Sequence, residues 1–152
     1  MKTEVKTMTK SELAVYKHSQ GYNCAQAVAC AFAEEVGVDE ALLYRMCEGF
    51  GAGMGNGQGV CGALSGAAVI AGLMNSDGNI GRAGGTKVST YKLVSPIHSA
   101  FRDKVGSTIC SEIKAGVNTA LPTSCPDCIA AATQLVEETF FNADNEPVYK
   151  IK

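Results

Sequence analysis

The sequence predicts an all-α fold, a single-domain bundle of about five to six helices interrupted by one glycine-rich loop. Apolar residues recur at helical spacing along most of the 152 residues, and no segment shows the strict apolar–polar alternation of a strand. Hydrophobic residues make up 46% of the chain, which is enough to build one core at this length. We expect the helical domain to cover residues 11–141, with residues 1–10 and 142–152 as terminal extensions.

Two helices are predicted before Gly37. Residues 11–20 combine apolar positions at helical spacing with Ser11, a residue type that often caps helix N-termini. Residues 22–36 resume the pattern after a glycine break, and Gly37 is suited to end that helix in a left-handed conformation. The chain therefore should enter the bundle as a helical pair.

A third helix is predicted to start after Asp39, its N-cap, and to run to about residue 47. Its apolar residues fall at positions that helical periodicity brings to one side. We expect these side chains to face the core: Leu42, Leu43 and Met46.

Three further segments follow the glycine-rich loop. An apolar helix is predicted at 60–74, with small residues that let neighbouring backbones approach closely: Gly62, Ala63, Gly66 and Ala67. A loop is predicted at 75–85, followed by a helix at 86–105 that Pro96 should kink or restart. An irregular stretch with a short helical piece then precedes a last helix, which begins at Pro126.

Charge and composition argue against several classes of function. The formal net charge is −2 and the basic residues are scattered, so the sequence predicts no face for nucleic acid. No apolar run is long enough to cross a bilayer, and the N-terminal segment is charged throughout. We therefore expect a cytoplasmic protein without a membrane span.

The chain carries seven cysteines, an unusually high number for its length. In a reducing cytoplasm such cysteines are catalytic, metal-binding or simply buried. Cys30 and Cys47 fall in apolar helical surroundings and are predicted to be small core residues. The histidines, His18 and His98, are predicted to be surface or hydrogen-bonded polar residues rather than ligands.

The stretch GFGAGMGNGQGVCG, residues 49–62, places seven glycines in fourteen residues around Cys61. It lacks the Lys-Ser/Thr pair of a Walker loop and the G-x-G-x-x-G spacing of a dinucleotide loop, so no nucleotide is expected. Glycine is costly to order, and such density is favoured where the backbone must approach another group closely. We predict a folded loop that brings Cys61 to the start of a helix.

Cys61 and Cys125 are both predicted at helix N-termini, where backbone N–H groups and the helix dipole favour a thiolate. Redox chemistry and metal ligation both require that form of sulfur. Cys125 also begins the C-x-x-C motif CPDC, which ends at Cys128. The motif lacks the preceding strand of a thioredoxin, the second C-x-x-C of a zinc knuckle and the histidine of a c-type haem site, where Ile129 stands instead.

These segments together resemble a known family. GYNCAQAV, GFGAGMGNGQGVCGALSGA, STICSEI and SCPDCIAAATQLVEE, in this order, are similar to the bacterial and archaeal redox-active proteins called the C_GCAxxG_C_C family. The resemblance covers roughly residues 11–140. That family is also similar to the non-haem part of split-Soret cytochromes, in which cysteines hold an iron–sulfur centre.

The resemblance implies a set of site cysteines: Cys24, Cys61, Cys110 and Cys125, with Cys128 as an alternative to the last. It implies that they are catalytic thiols or, with Cys128 included, ligands of a metal centre. An iron–sulfur cluster is the favoured cofactor, zinc is less favoured, and no haem is expected. Glycine backbone beside sulfur would supply N–H groups to such a site, and we expect these glycines to do so: Gly55, Gly57, Gly59 and Gly62.

The leading hypothesis is a small redox-active protein that exchanges dithiol for disulfide or transfers electrons through an iron–sulfur centre. Its partner would be a redox protein or a small molecule, and a homo-oligomer is compatible with the sequence. The alternative is a zinc-binding or structural helical module without turnover. The redox hypothesis predicts that the site sulfurs converge in space, although they are spread over about a hundred residues of sequence.

Overall fold

The structure is a computed structural model that describes residues 8–121 and 123–141. Residues 1–7 and 142–152, which make up most of the predicted terminal extensions, lie outside the described part of the chain. The described residues form eight α-helices, numbered here in chain order: α1 (Lys10–Ser19), α2 (Cys24–Cys30), α3 (Ala33–Val36), α4 (Glu40–Cys47), α5 (Gly62–Asn75), α6 (Lys87–Val105), α7 (Cys110–Lys114) and α8 (Cys125–Phe140).

The all-α prediction is confirmed, although the number of helices is higher than expected. Short turns supplement the helices: 3₁₀ turns at Glu48–Phe50 and Ile80–Arg82, and a π-type turn at Gly53–Gly57. Within the described ranges there is no strand, and Val60 and Ile109 form an isolated antiparallel bridge. None of the described helices combines the length and the hydropathy needed to cross a lipid bilayer.

The additional helices arise at two places in the chain. The single helix predicted at 22–36 breaks after Cys30, where the Phe32 N–H bonds to the Ala29 carbonyl at 3.0 Å and tightens the last turn. The break allows Phe32 to become fully buried and to stack on Phe141 at 5.5 Å between ring centroids. The short helical piece expected around Cys110 is present as α7 and also raises the count.

Most predicted helix ends agree with the structure. Asp39 caps α4 by accepting the Leu42 N–H, and Gly37 ends α3 in the left-handed conformation with φ 68°. The predicted cap of α1 was wrong, because Thr9 rather than Ser11 occupies the N-cap and forms a capping box with Glu12. Ser11 lies one residue inside the helix, where its hydroxyl donates to the Ala130 carbonyl at 3.3 Å.

One prediction about helix packing needs correction, and one of the two outcomes expected at Pro96 does not occur. Leu43 of α4 is fully buried, but Leu42 and Met46 are 46% and 49% exposed, so only one of the three expected side chains faces the core. The cause is that α4 packs mainly against α2 and leaves its other sides to solvent. Pro96 does not restart α6, which continues as one helix of 19 residues with Pro96 inside it.

The core of the bundle is built around α2, α5 and α8. Helix α5 packs against both α2 and α8, and α1 and α6 cover α8 from other sides. The predicted close approach of backbones occurs at Gly66 of α5, where an added Cβ would lie 2.6 Å from the carbonyl oxygen of Ala25 in α2. This contact brings the N-terminal ends of α2 and α5, and thus two cysteines, close together.

Candidate functional site: a cavity lined by cysteines

Five of the seven cysteines line one cavity of about 210 Å³, called here the cysteine cavity. They are Cys24, Cys61, Cys110, Cys125 and Cys128. The other lining residues are His18, Asn23, Ala52, Gly53, Gly62, Ile113, Lys114 and Thr123. The sulfurs that the sequence places far apart therefore do converge, while their chemical role stays a prediction.

The cysteines reach the cavity because helices begin there. Cys24 is the first residue of α2 and Cys110 the first residue of α7, while Cys61 is the N-cap of α5. Cys125 opens α8 immediately after its N-cap, Ser124, and Cys128 follows one turn later on the same side of the helix. The positive ends of the two long helices, α5 and α8, are thus directed at the sulfurs.

The glycine-rich segment is a formed turn that holds two of these cysteines next to each other. The Cys110 N–H donates to the Gly59 carbonyl at 3.0 Å, and the Cys61 N–H donates to the Thr108 carbonyl at 2.7 Å. Together with the bridge between Val60 and Ile109, these bonds set the two chain segments side by side. These hydrogen bonds fix the backbone of Cys61 beside the cavity, so the predicted folded loop is present.

Left-handed conformations close this turn on the cavity. Ala52 and Met54 have φ values of 55° and 63°, which are unfavourable for residues with a Cβ. Gly53 between them has φ 61°, and an added Cβ there would lie 2.5 Å from the Cβ of Cys110. The loop is therefore packed directly against Cys110, and Gly53 is the glycine that this packing requires.

The four glycines expected at the site lie in different surroundings. Gly62 lines the cavity, and Gly59 accepts the Cys110 N–H and packs against Met54. Gly55 and Gly57 have positive φ values of 80° and 78°, have open space where a Cβ would stand, and do not line the cavity. These two glycines shape the turn and do not contact the sulfurs.

The cavity thiols differ in how strongly they hold a proton. Hydrogen bonding to the Cys128 thiol lowers the pKa of Cys61 to about 7, against the effect of burial, and the first-turn N–H groups of Ala63 and Leu64 act in the same direction. Cys128 is the partner in that hydrogen bond, which raises its own pKa. The direction at Cys61 agrees with the expected influence of a helix N-terminus.

The remaining site thiols hold their protons more firmly. Burial, with the nearby Cys125 and Cys61 as further causes, raises the pKa of Cys24 to about 12. Cys125 thus lies beside Cys24 as Cys128 lies beside Cys61, and we group these four thiols as two neighbouring pairs. Burial likewise raises the pKa of Cys110, which stands beside both pairs. Cys125 and Cys128, the alternatives for the fourth site cysteine, both line the cavity.

The two cysteines predicted to be core residues are separate from this site. Cys30 and Cys47 are buried among apolar side chains and do not line the cavity. Burial raises the pKa of Cys30 to about 12 and that of Cys47 to about 11. Both surroundings are those of a small apolar residue rather than of a reactive thiol.

Sequence reasoning missed four polar or charged residues of the cavity, which are His18, Asn23, Lys114 and Thr123. His18 lines it although the sequence predicts a surface or hydrogen-bonded role, and Asn23, the cap of α2, lines it as well. Nothing in the spacing of His18 points to the site, since it lies on a different helix from every cysteine of the cavity. Lys114 had a usable signal, because it lies four residues after Cys110 on the short helix that the sequence predicts.

The donor chemistry of the cavity can be compared with what a metal centre needs. Thiolates are the donors that iron–sulfur clusters and structural zinc prefer, and five cysteines that could supply them face this space. In the described part of the chain, however, no group of three or more His, Cys, Asp or Glu residues is arranged to hold a metal ion. The donor type fits a cluster, whereas the arrangement does not form a closed tetrahedral zinc site.

The fold and the site define the class of this protein as all-α, with a cavity lined by cysteines at helix starts. The family model described as "Putative redox-active protein (C_GCAxxG_C_C)" matches residues 22–139, and the chain belongs to this family. A search of curated proteins and a search of solved structures each found no match.

Proposed function

We propose that this protein is a thiol-based redox protein in which Cys61 and Cys128 interconvert between dithiol and disulfide. The observation that carries the proposal is the convergence of five thiols on one cavity, in which the neighbouring Cys128 thiol lowers the pKa of Cys61. A second pair, Cys24 and Cys125, lies in the same cavity and can relay the oxidation within the protein. Membership of a family described as redox-active supports the same class of reaction.

The reaction follows from the difference in pKa between the Cys61 and Cys128 thiols. The Cys61 thiolate attacks one sulfur of a disulfide substrate, a new S–S bond forms, and the substrate S–S bond breaks with its electron pair leaving on the first thiolate. The Cys128 thiol gives its proton to that leaving thiolate, and its sulfur then attacks the Cys61 sulfur and releases the second substrate thiolate. The protein loses two electrons, and the substrate disulfide becomes two thiols when the second thiolate takes a proton from water.

The experiment is to oxidise the reduced protein with a small disulfide, count the remaining thiols and map the bonds by peptide mass spectrometry. We expect a disulfide between Cys61 and Cys128, with two thiols lost per chain in the first step. Cys61→Ser should abolish that bond while the protein stays helical. The matched control is Cys47→Ser, which changes a buried core thiol and should leave the Cys61–Cys128 bond intact in the folded fraction. Failure of wild type to form any disulfide within the cavity would refute the proposal.

An iron–sulfur electron carrier is the second candidate. It is favoured by the five soft donors around one cavity, which include the ligand type of iron–sulfur clusters. Cys24, Cys61, Cys110 and Cys125, or Cys128, would hold the cluster, which would supply one-electron transfer when bound. The first-turn N–H groups of Ala63 and Leu64 face the Cys61 sulfur and would tune that ligand.

Metal analysis separates the candidates. The protein would be purified without oxygen, and its iron, acid-labile sulfide and zinc would be measured beside its visible spectrum. A colourless protein without metal, whose thiols oxidise in pairs, is the result that we expect. Iron and sulfide in matching amounts would favour the electron carrier. A zinc-loaded protein without redox-active thiols would return the chain to a structural module.

A further inference from the structure

The charged residues that line the cysteine cavity are of one sign. Besides the thiols, its ionisable lining residues are His18 and Lys114, and among the described residues no Asp or Glu lines it. Helices α5 and α8 add the positive ends of their backbone dipoles to the same space. A ligand that enters this cavity therefore meets the Lys114 ammonium group and two positive helix ends beside the sulfurs.

Lys114 is the lining residue best placed to bind an anionic group in the cavity. It ends α7, one helical turn after Cys110, and its ammonium group acts on both Cys61 and Cys110. The nearest acidic side chain on α7, Glu112, accepts a 2.6 Å hydrogen bond from Ser107 and does not line the cavity. The ion pairs between described residues do not include Lys114, whose side chain is exposed to solvent at the cavity.

The size of the cavity restricts what can react there. Its volume of about 210 Å³ is below the roughly 300–1,000 Å³ that accommodates a drug-sized ligand. Cys61 is only 6% exposed, so a disulfide on the surface of a folded protein does not reach its sulfur in this conformation. A small disulfide whose charged group lies only a few bonds from its sulfur is compatible with both the cavity volume and the burial of Cys61.

We propose that the substrate is a small disulfide carrying a carboxylate or a similar anionic group, and that Lys114 binds this group while Cys61 attacks the S–S bond. The inference deepens the proposed thiol redox function and rests on it. The electrons and protons follow the reaction given above, with the anionic disulfide as the oxidant. Lys114 takes no part in bond breaking and acts as a binding residue.

The test uses three disulfides of similar size and different charge: dithiodiglycolate (anionic), bis(2-hydroxyethyl) disulfide (neutral) and cystamine (cationic). The rate of Cys61 oxidation is measured for wild type and for Lys114→Gln with each oxidant. The ratio of the two rates cancels the intrinsic reactivity of each disulfide. We expect the variant to be slower by about two- to fivefold with the anionic oxidant relative to the neutral one, as suits an exposed charge, and to gain relative rate with the cationic one.

Matched variants isolate the charge at this position. Lys114→Arg should retain the preference for the anionic disulfide, because it keeps the positive charge. Lys92→Gln changes the net charge equally at an exposed position of α6 that does not line the cavity, and should leave all three rates unchanged. If Lys114→Gln does not fold, wild type alone still tests the inference. Its preference for the anionic over the neutral disulfide should fall between about 20 mM and about 500 mM salt.

The outcomes distinguish the two proposals. An equal fall for all three oxidants would mean that Lys114 acts only on the thiols, and would overturn the inference while the redox function stands. A wild-type preference that does not respond to salt would overturn it as well. If none of the three disulfides oxidises the cavity cysteines, the proposed function fails and the inference fails with it.

Discussion

At the scale of single residues, the cavity thiols are differentiated by their immediate neighbours. Burial disfavours a charged sulfur and raises the pKa of Cys24 and Cys110. Cys61 is buried whereas Cys24 is only half-buried, yet the Cys128 thiol and the N–H groups of the α5 first turn offset the cost of burial at Cys61. One sulfur of the five is therefore prepared to act as nucleophile near neutral pH, and its hydrogen-bond partner keeps a proton to give away.

This difference predicts a pH profile for the reduced, metal-free protein. Alkylation of Cys61 by iodoacetamide should be slow below its pKa of about 7, where the sulfur is protonated, and should rise through that value to a plateau at roughly pH 8–9. Cys24, with a pKa of about 12, should still be gaining rate at pH 9. Peptide mass spectrometry of samples quenched between about pH 5.5 and 9 measures both residues at once.

The same measurement identifies the cause of the shift. Cys128→Ala removes the hydrogen bond that lowers the Cys61 pKa most, so the midpoint for Cys61 should move up toward the value of about 8.5 for a free cysteine. Cys47 provides an internal control, since its burial in the core should keep it unlabelled in the folded protein. A midpoint that is the same in wild type and Cys128→Ala would contradict this account.

At the scale of elements, the glycine-rich loop and the segment before α7 act together. The bonds from Cys110 to Gly59 and from Cys61 to Thr108 fix two cysteine-bearing backbones at once. The left-handed turn at Ala52–Gly55 makes room for this pairing, with strain at Ala52 and Met54. The loop therefore brings its glycine backbone close to the two cysteines.

Two glycine substitutions test this reading of the loop. Gly53→Ala should lose about 1–2 kcal/mol to the left-handed φ and a further amount to the overlap with Cys110, and it should change thiol reactivity in the cavity. Gly55→Ala should lose only the conformational part, because open space surrounds its Cβ position. Urea unfolding and the alkylation rate of Cys61 would be measured for both. Equal reactivity in the two variants would show that the loop does not position the cysteines.

The elements also show which features a single sequence can predict. Asp39 and Gly37 were found because capping and left-handed termination depend on local chemistry. The exposure of Leu42 and Met46 was not predicted correctly, because it depends on which neighbouring helix α4 packs against. In the same way, the break after Cys30 follows from the burial of Phe32 against Phe141, a contact more than a hundred residues apart in sequence.

The residues of the candidate site also divide into those that local sequence predicts and those that depend on tertiary packing. Cys61, its loop and the C-x-x-C motif were singled out from local sequence, and Cys24 and Cys110 followed from the resemblance to the family; all of these cysteines line the cavity. The place of His18 at the cavity was not predictable, since only the packing of α1 in the bundle brings it there. Pairing of Cys61 with Cys128 and of Cys24 with Cys125 also depends on how α2, α5 and α8 meet, which no local pattern specifies.

At the scale of the whole molecule, the cavity exists because the bundle brings several helix starts to one place. Helices α2 and α5 approach through Ala25, Gly62 and Gly66, where no space remains for a further methyl group. Cys24 precedes Ala25 directly, and Cys61 precedes Gly62 directly. The tight contact between these helices is therefore also the support of the two sulfurs, so that core packing and thiol geometry are linked.

Two alanine substitutions on α5 test this link. Gly66→Ala would place a Cβ 2.6 Å from the Ala25 carbonyl oxygen, a backbone atom that moves only if α2 moves. We expect a net loss of about 1–3 kcal/mol in the free energy of unfolding, because the strain exceeds the gain in helix propensity. Gly72→Ala lies on the same helix with open space around its Cβ position, and should gain about 0.5–1 kcal/mol instead.

The two variants should also differ at the cavity. Displacement of α2 by Gly66→Ala moves Cys24 relative to Cys61, so the rate of disulfide formation within the cavity should change in the folded protein, whereas Gly72→Ala should match wild type. Chemical unfolding measures the first effect, and thiol counting during oxidation under native conditions measures the second. Stabilisation by both substitutions would show that the helices tolerate a methyl group at Gly66. A destabilised Gly66→Ala protein with wild-type oxidation would separate core packing from the thiol geometry that we attribute to it.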